Sequence, residues 1–194
     1  MDNSKYKSDA DILYASLGNL PEAVKNPVLV LVSGLPGTGK THFSKKLSER
    51  LPFVTLESDA LRRALNPNPN HNKPESARLF TAIHLLCEGL LREGHCVIVD
   101  ATNLTEKHRR HFYDIADRLG IKLTIVYLTA TEQVVKERLD KRAKDGDTHS
   151  DAGWKVYLRM RKSVDKIKRK HYSVDTSLDY ENIPDEIVKE IKTL

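Results

Sequence analysis

Five short apolar runs divide the chain at intervals, each bounded by polar or turn-forming residues. The first, residues 28–32, is apolar at every position. A run without polar interruptions fits a strand that is buried on both faces, as in a parallel sheet. We predict strands at residues 28–32, 53–56, 96–100, 123–128 and 172–175.

Between these runs, apolar residues recur every three or four positions, which is the spacing of amphipathic helices. Gly94 and Gly120 end two of them, as glycine commonly does at a helix C-terminus. Prolines and asparagines argue against regular structure at residues 66–74. Helices are predicted at residues 9–17, 40–51, 60–65, 76–93, 105–119, 132–144, 151–170 and 184–194. Alternating strands and helices predict an α/β sandwich around a mainly parallel sheet.

The turn after the first predicted strand has the sequence GLPGTGKT and matches the motif G-x-x-x-x-G-K-[ST] at every fixed position. Its glycines let successive backbone N–H groups point at one phosphate, and the following helix adds its positive end. Lys40 would contact the β- and γ-phosphates, while the Thr41 hydroxyl would bind Mg²⁺. The predicted nucleotide-binding residues are Gly34, Leu35, Pro36, Gly37, Thr38, Gly39, Lys40, Thr41 and His42.

Two carboxylates follow other predicted strands, at the edge of the sheet where such folds bind ligands. Asp100 has the position of a Walker B carboxylate that orients Mg²⁺, and Asn103 would cap the next helix or contact the acceptor. Asp59 would accept a proton from an attacking hydroxyl or cap the helix that follows, a role that Ser58 can also fill. Arg62, one helical turn later, would bind an anionic acceptor or pair with Asp59.

Arg138 and Arg142 are four residues apart in a charged predicted helix and therefore share one face. Above a phosphate site, their guanidinium groups would neutralise charge that develops on the transferred phosphoryl group. A solvated helix with intrahelical ion pairs explains the same charges. Because the pattern loosens at residues 145–148, we predict a closing helical lid at about residues 138–155.

The composition is that of an ordinary globular protein, with 39% hydrophobic and 30% charged residues among 194. No apolar run approaches the roughly 20 residues that span a bilayer, and the polar first residues do not resemble a signal peptide. We therefore expect a cytoplasmic protein with no membrane partner. The net charge of +5 suits nucleotides or nucleic acid, or has no specific meaning. Cys87 and Cys96 are predicted to be buried free thiols.

Several stretches together resemble a family of P-loop kinases with an AAA-type domain, which contains polynucleotide 5′-hydroxyl kinase domains. They are GLPGTGKT, SDALRRAL, VIVDATNLTEKHRRHF, and ERLDKR followed by HSDAGWKVY. Zeta toxins and chloramphenicol phosphotransferase are more distant relatives. The resemblance implies that Asp59 is the general base and that Arg62 contacts the acceptor strand. It also implies that Arg138 and Arg142 engage the phosphates of ATP.

We predict one kinase domain at residues 27–194, with sheet order 2-3-1-4-5, after a polar and partly helical lead at residues 1–26. It would transfer the γ-phosphoryl group of ATP, with Mg²⁺, to a hydroxyl acceptor. His71 is a further candidate for the acceptor pocket. The 5′-hydroxyl of a polynucleotide is the first choice of acceptor; the alternatives are a small molecule or nucleoside, or an ATPase or regulator without an organic acceptor. The predicted catalytic residues are Lys40, Asp59, Arg138 and Arg142.

Overall fold

A computed structural model of the chain describes residues 3–145 and 153–193, which contain five strands in one sheet. The strands are β1 (Val28–Gly34), β2 (Phe53–Glu57), β3 (Cys96–Asp100), β4 (Lys122–Thr129) and β5 (Tyr172–Asp175). Their order is β2-β3-β1-β4-β5, and every neighbouring pair is parallel. The predicted order and the α/β class are confirmed.

Helices cover both faces of this sheet. Within the described residues they are α1 (Asn3–Ser16), α2 (Lys40–Ser48), α3 (Ser58–Leu65), α4 (Lys73–Arg92), α5 (Glu106–Leu119), α6 (Glu132–Lys144), α7 (Trp154–Met160) and α8 (Ile183–Lys192), with a 3-10 turn at Arg161–Ser163. Leu29 and Leu31 of β1 pack in a cluster with α4 and α5. Val30 and Val32 pack on the opposite face with α2 and α8. The fold is therefore the predicted three-layer sandwich.

The helix after β2 begins earlier than predicted. α3 starts at Ser58, and Glu57 occupies the N-cap position without a side-chain capping bond. Ser58 and Asp59 therefore lie in the first helical turn, and the predicted capping role of either residue is wrong. The carboxylate of Asp59 is still favourable there, because negative charge near a helix N-terminus interacts well with the helix dipole.

α4 also begins before its predicted start at residue 76. The Asn72 side chain caps this helix by accepting a hydrogen bond from the N–H of Glu75 at 2.9 Å. Pro74 then lies in the first turn, where its missing N–H needs no partner. The irregular segment is accordingly confined to residues 66–72.

The predicted helix at residues 151–170 is helical only in part. α7 ends at Met160, and after the 3-10 turn residues 164–171 form neither helix nor strand. Ile167 is buried in the core, and two carbonyl groups just before it accept hydrogen bonds from another helix. These tertiary contacts override the helical pattern of the sequence.

The N-terminal helix packs against the domain. Leu13 of α1 is fully buried in the same cluster as the apolar face of α4. The Asp9 carboxylate accepts two hydrogen bonds from Arg78 of α4, at 2.5 and 2.7 Å. A bidentate pair of this kind fixes orientation as well as distance. α1 is thus anchored at two points, although the boundary at residue 27 stays a prediction.

The two cysteines are free thiols, as predicted, with Cys87 buried and Cys96 partly buried. Burial raises the pKa of both thiols, so both are held in the protonated form. Across residues 3–145 and 153–193, no helix has the length and apolar character needed to cross a membrane.

Replacement of Leu13 by Ala tests whether α1 belongs to the folded unit. Removal of a fully buried leucine side chain costs about 3 kcal/mol of unfolding free energy, measurable by urea denaturation. Ile12→Ala is the matched control, because Ile12 is adjacent in sequence but 46% exposed. Equal unfolding free energies for the two variants would show that α1 contributes little to stability.

Candidate active site

A cleft of about 630 Å³ opens at the carboxyl edge of the sheet. It is lined by the loops after β1 and β3 and by residues of α2, α3, α4, α6 and α7. Most residues singled out by the sequence analysis meet there. The lining includes Pro36, Gly37, Gly39, Lys40, Thr41, His42, Asp59, Arg62, His71, Asp100 and Arg142.

The phosphate loop connects the end of β1 to the start of α2. Gly37 and Gly39 have φ angles of 79° and 81°, a left-handed conformation that glycine adopts without strain. A Cβ atom on Gly37 would also lie 2.9 Å from the Val135 side chain of α6. The Lys40 ammonium donates a hydrogen bond to the Leu35 carbonyl at 3.1 Å, which closes the loop on itself.

Charged groups converge around Lys40 in the described structure. Burial lowers the pKa of the Lys40 ammonium, and the carboxylates of Asp100 and Asp59 raise it in part. Arg142 acts in the opposite direction and lowers it further. Two carboxylates and a second cation are therefore within electrostatic reach of the loop lysine, although they come from three different elements.

Asp100 and Thr41 fit a hydrated Mg²⁺ ion. Asp100 is only 3% exposed, and its Oδ2 atom is buried without a hydrogen-bond partner. Burial raises the pKa of this carboxyl, whereas Lys40 and the Thr41 hydroxyl lower it. The described residues contain no cluster of three or more His, Cys, Asp or Glu side chains suited to a metal. The ion would complete its shell with water and phosphate oxygens, which Mg²⁺ commonly retains.

Arg62 lies in the cleft but does not pair with Asp59. Its guanidinium is 7% exposed and donates to the Glu75 carboxylate at 2.6 Å and to the Ser76 hydroxyl at 3.4 Å. The Nε atom is buried and has no hydrogen-bond partner. The predicted pairing with Asp59 is therefore wrong: the partner is Glu75, which the early start of α4 brings into reach.

Asn103 does not cap α5, because the Thr105 side chain does so by accepting from the His108 N–H. Asn103 is 1% exposed, and its side-chain amide donates to the Val32 carbonyl at 2.8 Å. It is not among the residues that line the cleft. Its φ angle of 44° turns the chain sharply just after β3. This placement favours a role of Asn103 in stabilising the backbone over the predicted contact with the acceptor.

Arg138 and Arg142 share one face of α6 but have different surroundings. Arg138 donates to the hydroxyl and carbonyl of Thr176, at 2.8 and 2.9 Å, and to the Gly37 carbonyl at 3.3 Å. Arg142 lines the cleft, whereas Arg138 does not. The first arginine thus ties α6 to the phosphate loop, and the second faces the space above it. Part of the predicted lid, residues 146–152, lies outside the described residues.

Several residues that line the cleft were not predicted from the sequence. Among them are Val156, Arg159 and Met160 of α7 and Phe80 of α4. The α7 residues have i, i+3 and i+4 spacing and therefore share a helix face. That spacing was the available signal, but nothing in the sequence indicated that this face meets the cleft.

Gly37→Ala tests the shape of the phosphate loop. The added methyl group requires a strained φ angle and contacts the Val135 side chain, so we expect at least about tenfold weaker ADP binding by calorimetry. Gly89→Ala makes the same chemical change on α4, where a Cβ has no neighbour within 4 Å. Unchanged ADP affinity in Gly37→Ala would contradict the assignment of this loop as the nucleotide-binding loop.

The chain is similar to known proteins in both sequence and structure. The chain is 27% identical over 125 residues to a 6-phosphofructo-2-kinase/fructose-2,6-bisphosphatase from Aquarana catesbeiana. The aligned region covers 56% of this chain and 27% of that relative. It is 26% identical over 116 residues to an L-seryl-tRNA(Sec) kinase from Methanococcus maripaludis, covering 57% and 44%. The chain thus spans less than half the length of either relative.

The solved structure of APS kinase from Mycobacterium tuberculosis, in complex with AMPPNP and APS, superposes with a TM-score of 0.65 and 19% identity. The match covers 86% of this chain and 98% of that one, which establishes the common fold. The sequence profile of the AAA domain family matches residues 29–167, a range that runs from β1 through α7. The chain belongs to this AAA domain family.

Proposed function

We propose that the protein is an ATP-dependent phosphotransferase that transfers the γ-phosphoryl group to a hydroxyl group. The observation that carries this proposal is the convergence of Asp59, Asp100 and Lys40 in one cleft. A nucleotide switch needs the phosphate loop and a metal-orienting carboxylate. A kinase also needs a carboxylate on the acceptor side, and Asp59 supplies one.

Different residues along the cleft would bind the phosphates, hold the metal ion and activate the acceptor. The loop amides and Lys40 would bind the β- and γ-phosphates, while Thr41 and Asp100 would hold Mg²⁺, which neutralises phosphate charge when bound. Asp59 would accept the proton of the attacking hydroxyl. Arg142 would stabilise the negative charge of the transferring group, because its guanidinium faces the same space as Lys40.

For the acceptor, we favour the hydroxyl group of a small molecule. The cleft volume of about 630 Å³ lies within the usual range for small-molecule sites. Phe80 and Met160 supply apolar contact, and Arg159 supplies a positive charge beside them. The named relatives act on acceptors as different as a phosphorylated sugar and seryl-tRNA, so they set no single acceptor for this chain.

A polynucleotide 5′-hydroxyl, the first choice from sequence, remains the second candidate. Lys162, Lys166 and Lys168 are exposed, and no ion pair joins them to another residue within the described ranges. They follow Arg159, which lines the cleft, along the chain. A polyanion would be attracted to these positive charges.

Transfer of labelled γ-phosphate from ATP with Mg²⁺ tests the proposal. The acceptors are a panel of sugars, sugar phosphates, nucleosides and aminoglycosides, beside 5′-hydroxyl RNA and DNA oligonucleotides. Label on a small molecule supports the first candidate, and label on an oligonucleotide supports the second. Label that ends only in free phosphate, with no acceptor stimulating turnover, would contradict both and favour an ATPase.

Asp59→Asn separates proton abstraction from nucleotide binding. We expect at least about 100-fold slower transfer, because the amide cannot accept the hydroxyl proton, with ADP affinity close to that of the unmodified protein. Asp114→Asn, an exposed position on α5, is the control and should keep full activity. Transfer at an unchanged rate in Asp59→Asn would remove this residue from the mechanism.

Arg138 and Arg142 should respond differently to substitution by alanine. Arg142→Ala should mainly lower kcat, by about 10- to 1,000-fold, because a transition-state contact is lost. Arg138→Ala should mainly raise the KM for ATP and lower the melting temperature, because the tie between α6 and the loop is lost. Lys141→Ala, exposed on the same helix, controls for surface charge. Equal effects on kcat in both arginine variants would contradict this division.

A further inference from the structure

Among the described residues, Arg109 of α5 is the largest side chain that is fully buried. It does not line the cleft. Its carboxylate contact, Glu106 at 3.1 Å, is itself partly exposed. A buried cation is costly unless its hydrogen bonds are complete. Most of its hydrogen bonds go to backbone carbonyl groups. Arg109 therefore connects the segments of chain to which those carbonyl groups belong.

The guanidinium joins two stretches of chain that are distant in sequence. Nη1 donates to the carbonyl groups of Asn103 and Leu104, at 2.9 and 2.8 Å. Nη2 donates to the carbonyl groups of Asp165 and Lys166, at 3.0 and 3.3 Å. The first pair lies in the loop after β3. The second pair lies just after α7 and the 3-10 turn, so Arg109 links the loop that follows β3 to the segment that follows α7.

The loop after β3, residues 101–105, is also hydrogen-bonded to the end of β1. The Gly34 N–H donates to the Thr102 carbonyl at 3.0 Å. The Ser33 hydroxyl donates to the Asn103 carbonyl at 3.0 Å, so this carbonyl accepts from both Ser33 and the guanidinium. Asp100 directly precedes this loop. Because the loop is hydrogen-bonded on both sides, the backbone that follows Asp100 is restrained.

We propose that Arg109 is a positioning residue for the Mg²⁺ site: it fixes residues 101–105 and thereby the direction of the Asp100 carboxylate. The inference rests on the proposed function, in which Asp100 helps to hold the ion. Groups that orient a metal-binding side chain without touching the metal typically change metal affinity by about 10- to 100-fold when they are replaced. Lysine keeps the charge at this position but lacks the planar fork that reaches both stretches.

The test compares Arg109→Lys with Arg110→Lys, the same exchange at the exposed neighbouring position on α5. ADP binding is measured by calorimetry across a series of free Mg²⁺ concentrations, and circular dichroism gives the folded fraction in the same buffer. Arg109→Lys should need at least about tenfold more Mg²⁺ for half-maximal strengthening of ADP binding. Its ADP affinity in EDTA should change by less than about threefold, because the loop amides remain. Arg110→Lys should match the unmodified protein.

An Arg109→Lys protein that is less stable but has unchanged Mg²⁺ dependence would overturn the inference, since Arg109 would then act on stability alone. If that variant does not fold, Tyr113→Phe decides. Phenylalanine removes only the acceptor of the Arg109 Nε hydrogen bond at 3.1 Å and keeps the ring below Arg169. A Mg²⁺ dependence shifted in the same direction supports the inference, and no shift overturns it. Failure of the unmodified protein to bind ADP with Mg²⁺ would instead refute the proposed function.

Discussion

The parallel register between β1 and β3 is the constraint on which the site depends. It pairs Val32 with Asp100, so Asp100 lies beside the last residues of β1. The register between β2 and β3 pairs Glu57 with Asp100, which brings the start of α3 to the same edge. A slip of one residue would turn every side chain of a strand to the opposite face. The all-apolar β1 resists a slip because both of its faces are buried.

The parts of the fold that the sequence predicted are mostly those with local causes. A continuous apolar run predicts a buried strand, and a glycine-rich turn after it predicts a phosphate loop, so the five strands were predicted correctly. The sheet order has no such local cause and was predicted together with the kinase domain that the motifs indicate. The end of α7 was predicted wrongly because Ile167 and the contacts of Arg109 hold residues 164–171 out of helical form. Arg109 lies in the charged stretch KHRRH, where nothing local indicates burial, because its burial depends on two distant loops.

The arginines of the site illustrate why residue type alone does not give a role. Arg62 is neutralised by Glu75, Arg138 is bound to backbone around Thr176, and Arg142 faces the cleft. From sequence, all three are positive charges near a phosphate loop. Their partners come from elements that the sequence places far away. Guanidinium groups with such different partners differ electrostatically even when all three lie near the same loop.

The residues that line the cleft come from different kinds of element. Asp100 ends β3 and Lys40 follows β1 through the phosphate loop, whereas Ser76, Phe80, Val156 and Met160 belong to α4 and α7, which are not next to the phosphate loop in sequence. Exchange or reshaping of those helices leaves the strand register intact. Evolution is therefore able to recruit this scaffold for new acceptors while the nucleotide chemistry is inherited unaltered. A designer who wishes to change the acceptor should begin with the residues of α7.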